Sequence, residues 1–180
     1  MRAGAAEPDL RQPNSGPGRV YHLETDASVV VAGPPGRRPV GLTGPIAGGG
    51  VVLRNPGLDV IETRSIVLGP VGSPTHAEYA ALLAGLRVAR ERGVEHLRIR
   101  NDNISLVRHL TGQQEGVAKD LEPTVREIAE LRSTFLIFDL RWAPSSHAVE
   151  RRDGQPTADL LARHAIGLGP RATRRRKGRG

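Results

Sequence analysis

The chain has 180 residues, 38% of them hydrophobic, and contains no run of about 18 apolar residues that would span a membrane. It has no cysteine, which excludes disulfides, zinc–thiolate centres and thiol nucleophiles. Of its net charge of +7, six positive charges fall in the last ten residues and one net charge in residues 1–19, so residues 20–170 are neutral overall.

Residues 1–18 are rich in Pro, Gly and polar residues and read as a disordered extension. They lack the apolar stretch of a secretory signal, so a cytoplasmic location is expected. The segment "VYHLETDASVVVA" alternates and is rich in β-branched residues, which predicts a strand over 20–32. After the loop "GPPGRRPVGLTGP", strands are predicted over 47–54 ("AGGGVVLRN") and 58–68 ("GLDVIETRSIVLG"), joined as a hairpin through "NPG". Gly48-Gly49-Gly50 precedes a strand and lacks a Walker lysine, so it reads as hairpin backbone and not as a phosphate loop.

From Thr75 to Arg92 the pattern becomes helical, with Gly93 as the stop. "EHLRIRN" is a fourth strand. "NISLVRHLTG" is a short helix, placed for Asp102 to cap and Gly112 to end. Leu121, Val125, Ile128 and Leu131 have core-facing spacing in a helix over 122–133, and Pro123 suits its first turn. "TFLIFDLRWA" is a fifth, apolar strand with Trp142 read as core. After the polar loop "PSSHAVERRDGQ", a last helix runs from Pro156 to near Gly167. His22, His76, His96, His109 and His164 show no ligand spacing and read as surface residues. The order is βββαβααβα. It predicts an α/β domain over 19–168, a five-stranded mixed sheet flanked by helices, followed by a disordered basic tail over 169–180.

Four carboxylates interrupt these regular segments: Asp26, Glu78, Asp102 and Asp159. Acidic side chains are seldom buried unless paired or bound to metal. Taken singly, each has another explanation. Asp26 shares a strand face with Ser28 that water can cover, Glu78 suits a helix start, and Asp102 and Asp159 suit a cap or first turn. Taken together, they point to an acidic cluster around hard cations.

Their surroundings resemble the ribonuclease H family, type 1, over roughly residues 20–168. "TDAS" resembles the family's first-strand motif, "AEYAALLAGL" its first helix, and "DNISLVRHLTG" the segment around its third carboxylate. "RWAPSSH" followed by "TADLLAR" resembles its closing loop and helix. The resemblance implies an endonuclease cutting the RNA strand of RNA/DNA hybrids by a two-metal-ion mechanism. Asp26, Glu78, Asp102 and Asp159 would hold two Mg²⁺, with Mn²⁺ as a possible substitute. His147 matches the loop histidine that assists proton transfer or product release. Ser28, Thr75 and Asn103 match positions near the nucleic acid, and Arg174, Arg175 and Arg176 are candidates for phosphate contact.

The chain departs from the family at several places. Pro74-Thr75-His76 stands where a pair of Asn is usual, Asn103 replaces Ser, and Gln155 replaces Asn. An extra Ser precedes His147, and no basic insertion separates the two middle helices. The basic tail is a candidate substitute for that insertion. The expected partner is an RNA/DNA hybrid bound by a monomer, without membrane or small-molecule organic cofactor. The alternatives are a non-catalytic nucleic-acid-binding module of the same fold, and a nuclease of that fold acting on double-stranded or structured RNA.

Overall fold

The computed structural model describes residues 18–30, 45–144 and 155–169. The five strands are β1 (Tyr21–Val30), β2 (Ile46–Arg54), β3 (Val60–Pro70), β4 (His96–Asn101) and β5 (Ile137–Trp142). The helices are α1 (Pro74–Glu91), α2 (Ile104–Leu110), α3 (Glu122–Arg132) and α4 (Ala158–Ala165), with one 3₁₀ turn at Lys119–Leu121. The order βββαβααβα is as expected. Of the expected extension only Gly18 is described, and of the expected tail only Gly169.

The sheet runs β3-β2-β1-β4-β5. β1, β2 and β3 pair antiparallel, as a hairpin-built unit permits, while β4 joins β1 and β5 joins β4 in parallel. The parallel pairs need crossovers, which the intervening helices supply. The hairpin between β2 and β3 closes through Asn55, whose N–H donates to the Asp59 carbonyl at 2.9 Å and whose Oδ1 accepts from the Asp59 N–H at 2.9 Å.

The main core lies between the sheet and α1, α2 and α3. Leu23, Val51, Leu53, Leu97 and Ile99 point from the sheet against Leu82, Leu86, Leu106 and Ile128. α1 starts cleanly because the Ser73 Oγ accepts from the His76 N–H and Pro74 occupies the first turn. Its buried face carries Ala77, Ala81, Gly85 and Ala89, so the helix rides close to the sheet. A Cβ at Gly85 would sit 2.6 Å from Thr25 Cγ2 and 3.2 Å from Leu23 Cδ2. Gly85→Ala therefore adds about 1–3 kcal/mol of overpacking, against about 1 kcal/mol of helix propensity gained. The expected net loss of about 1 kcal/mol lowers Tm by about 2–4 °C, which calorimetry would read. An unchanged or higher Tm would show that α1 has room to move off β1.

The opposite sheet face is covered by α4, which packs on β1, β2 and β3. Gly48 and Gly50 of β2 make this possible. A Cβ at Gly48 would lie 2.2 Å from the Ala162 carbonyl oxygen, and one at Gly50 would lie 1.9 Å from that of Ala158. The reading of these glycines as hairpin backbone holds, and their small size also seats a helix. Farther along this face, fully buried Arg54 donates from Nε to the Glu24 Oε1 at 3.2 Å and from Nη1 to the Leu58 carbonyl and the Gln155 Oε1. Gln155 thus ties the segment before α4 to β2.

Trp142 is 48% exposed and not core, because β5 is an edge strand of the sheet, with β4 as its strand neighbour among the described residues. His76 and His109 are not plain surface residues. His76 is held between the Ser73 Oγ (3.1 Å) and the Asp120 carboxylate (3.1 Å), and the His109 Nδ1 lies 2.8 Å from the Tyr79 hydroxyl.

Candidate active site

Asp26 sits in mid-strand at the centre of the sheet, directly opposite Gly50. It shares the α4-facing side of β1 with Ser28, which is buried and pairs with Gly48. The picture of Asp26 on a water-covered face therefore fails, because α4 roofs that face and Asp26 is half-buried. Glu78 comes from the second turn of α1, beyond the reach of simple helix-start stabilisation. Asp102 follows β4 and does not cap α2. The cap is Asn103, whose Oδ1 accepts from the Leu106 N–H at 3.0 Å. Asp102 is exposed and leaves its carboxylate available.

Oxygens of Asp26, Glu78 and Asp102 lie within 4.8 Å of one another. Asp159 is not part of that tight set. It lies in the first turn of α4, beside Ala158, whose carbonyl rests on Gly50, the cross-strand neighbour of Asp26. α4 thereby brings the fourth carboxylate over the same part of the sheet.

Three acids so close repel one another when ionised. Glu78 shows the result: burial first, then the charges of Asp26 and Asp102, raise its pKa to about 8. Its Oε2 is buried and makes no hydrogen bond among the described residues. An all-oxygen donor set with an unsatisfied buried oxygen fits a hard divalent cation, which would replace the missing partner and cancel the repulsion.

The raised pKa has a direct consequence for the metal-free protein. The folded state favours protonated Glu78, so the stabilisation is complete below about pH 4.5, the ordinary value, and is lost as pH rises through about 8. In chelator, Glu78→Gln is expected to flatten this decline and to stabilise the protein at pH 8 by about 1–3 kcal/mol. Urea melts at several pH values would show it. An equal decline in wild type and variant would mean that Glu78 is not the group responsible.

The remaining expected site residues fall in different places. Thr75 is exposed in the first turn of α1 and lines a cavity of about 410 Å³ with Ser73, His76, Tyr79, His109 and Asp120. Asn103 is half-buried, with its side-chain oxygen engaged as the α2 cap. His147, Arg174, Arg175 and Arg176 lie outside the described residues. Two residues near the site escape sequence reasoning: Asn101, only 2% exposed, and Trp142. The alternation in "HLRIRN" carries a signal for Asn101, since it continues the inward face of Leu97 and Ile99.

No helix among the described residues is long and apolar enough to cross a membrane. No curated protein matches the chain. The structure is similar to that of RNase H1 from the halophilic archaeon Halobacterium salinarum NRC-1, with a TM-score of 0.65 and 24% identity over 82% of this chain and 97% of that one. It is also similar to the N-terminal RNase H domain of a Mycobacterium tuberculosis protein, with a TM-score of 0.62 and 23% identity over 81% and 93% of the two chains. A third similar structure is LC11-RNase H1, solved in complex with an RNA/DNA hybrid, with a TM-score of 0.63 and 20% identity over 81% and 96%. The family described as reverse transcriptase-like matches residues 43–165, a span that includes Glu78, Asp102 and Asp159. The chain belongs to the reverse transcriptase-like family and has the type 1 ribonuclease H fold.

Proposed function

We propose that this protein is a metal-dependent endoribonuclease that hydrolyses the RNA strand of RNA/DNA hybrids. The observation that carries the reading is the convergence of Asp26, Glu78 and Asp102 within 4.8 Å, from three different elements, beneath the helix that carries Asp159. These four residues would hold two Mg²⁺ ions, with Mn²⁺ as a substitute, which when bound would supply an activated water and positive charge at the departing 3′ oxygen.

The chain's own part is to fix the carboxylates in place for the cations. Asp26 is fixed in mid-strand with a carboxylate oxygen within 4.8 Å of those of Glu78 and Asp102, and would be a ligand to the cations. Glu78 is held by a helix seated on the sheet through Gly85, and it releases its proton when positive charge arrives. Asp102 and Asp159 complete the set from the two margins. His147 is assigned to proton transfer or product release. Ser28, Thr75 and Asn103 are assigned to the nucleic acid, and Arg174, Arg175 and Arg176 to its phosphates. The similarity to LC11-RNase H1 in its hybrid complex supports the choice of substrate.

The test is a gel assay on a hybrid labelled on either strand, with Mg²⁺ or Mn²⁺ and beside duplex RNA. Cutting of the RNA strand alone, and only with metal, is expected. Binding without cutting in either metal would overturn the enzymatic reading in favour of a binding module. Preferential cutting of duplex RNA would overturn the substrate.

A further inference from the structure

The tight acid cluster raises a mechanical question. Asp26 belongs to a strand, but Asp102 lies on an exposed turn after β4, where nothing in its own conformation fixes its distance from Asp26. Asn101 answers it. Its side chain is 2% exposed and is bonded at both ends. The Asn101 Nδ2 donates to the Thr25 Oγ1 at 3.4 Å, immediately before Asp26, and the Asn101 Oδ1 accepts from the Asn103 N–H at 2.8 Å, immediately after Asp102. One buried amide therefore spans the residue before the first acid and the residue after the third.

A second tether acts from the far side. The Trp142 indole Nε1–H donates to the Asp102 carbonyl at 3.1 Å, and the Ala143 N–H donates to the Asn101 carbonyl at 3.0 Å. The end of β5 thus grips the Asp102 turn from outside, while Asn101 grips it from within. An Asn buried this deeply in a strand otherwise facing Leu and Ile is costly unless satisfied, and the bonds that satisfy it run to the two neighbours of the acids.

We infer that Asn101 and Trp142 are positioning residues that hold Asp102 at metal-binding distance from Asp26. The inference rests on the cation-site reading above. Each acts through the backbone of the Asp102 turn. Outer-shell partners of metal ligands typically change affinity by about 10–100-fold when removed.

The test is calorimetric titration of the intact chain with Mn²⁺ alone, without nucleic acid, for wild type, Asn101→Ala, Asn101→Ser and Trp142→Phe. The Ser hydroxyl can still accept from the Asn103 N–H, as in the turns that Ser and Asn share, but is too short to reach Thr25. The expected result is Mn²⁺ affinity about tenfold weaker in Asn101→Ala, largely recovered in Asn101→Ser, and about threefold weaker in Trp142→Phe, which keeps the ring and loses the donor. As the chain contains a single Trp, its emission in the two Asn101 variants reports the Asp102 turn directly, and a shift is expected in Ala but not in Ser. Wild-type affinity in Asn101→Ala and Trp142→Phe would overturn the positioning role while leaving the cation site intact. Equal weakening in Ala and Ser, following their loss of thermal stability, would overturn it as a purely structural effect. Absence of Mn²⁺ binding in wild type would overturn the cation site itself, and the positioning role with it.

Discussion

Asp26→Asn is expected to lower metal-dependent hybrid cleavage by about a thousandfold, equivalent to about 4 kcal/mol of transition-state stabilisation, while leaving the metal-free protein as stable as wild type or more so. The two effects run in opposite directions for one physical reason. Asn keeps the size of Asp and its place opposite Gly50, so the sheet has no cause to change. It removes one of the charges that, after burial, keep Glu78 protonated up to about pH 8. Without metal this relieves repulsion. With metal it removes a proposed ligand whose oxygen lies within 4.8 Å of those of Glu78 and Asp102. Parallel measurement of initial cleavage rate and of Tm in chelator separates this from simple unfolding. A variant that cleaves within a fewfold of wild type would remove Asp26 from the chemistry, and one that loses activity together with about 10 °C of Tm would mark it as structural.

Gly50→Ala is expected to be the most damaging single-methyl change in the fold. The new Cβ would stand 1.9 Å from the Ala158 carbonyl oxygen and 2.7 Å from the Ala162 N, both of them backbone atoms of α4. No side chain can rotate away, so the helix itself must lift. Overpacking of this kind costs about 3 kcal/mol, at the upper end of its usual range, and lowers Tm by about 6–12 °C. α4 also carries Asp159, so the displacement reaches the site. A misplacement of about 1 Å can cost about a hundredfold in rate, and cleavage measured well below the lowered Tm should show a loss of that order. Gly49→Ala is the comparison. Its Cβ would meet only the Leu68 side chain, at 3.2 Å, and both stability and rate should change little. Equal effects at the two positions would contradict the account of α4 seated on the glycines.

The sequence was readable where local pattern and burial agree. β1, α1 and the order of all elements follow from alternation, helical spacing and punctuation by Gly and Pro, and the carboxylates stand out because acids rarely occur in such segments. Most of the misreadings share a cause: they depended on partners far away in the chain. "TFLIFDLRWA" is apolar enough for a central strand, but only the sheet order shows that β5 is an edge, which leaves Ile137 and Trp142 exposed. Asp102 and Asn103 are equally good caps by residue type. The choice falls to Asn103 because Asn101 takes its N–H and sets the turn. His76 and His109 look solitary in sequence because their partners include Asp120, Tyr79 and Ser73, the first two from other elements. The triple glycine gave a strand, but not its contact with α4, since nothing in the glycines themselves announces which element rests on them.

The claim on which all else depends is that the four carboxylates form a divalent-cation site. Anomalous diffraction from crystals of the intact chain soaked in Mn²⁺ tests it most directly, because manganese is seen without reference to activity. The account predicts a strong anomalous peak coordinated by Asp26 together with Glu78 and Asp102, and a second peak shared by Asp26 and Asp159. Saturating Mn²⁺ with no peak at Asp26 would contradict it, and the raised pKa of Glu78 would then belong to a buried acid that never meets a metal.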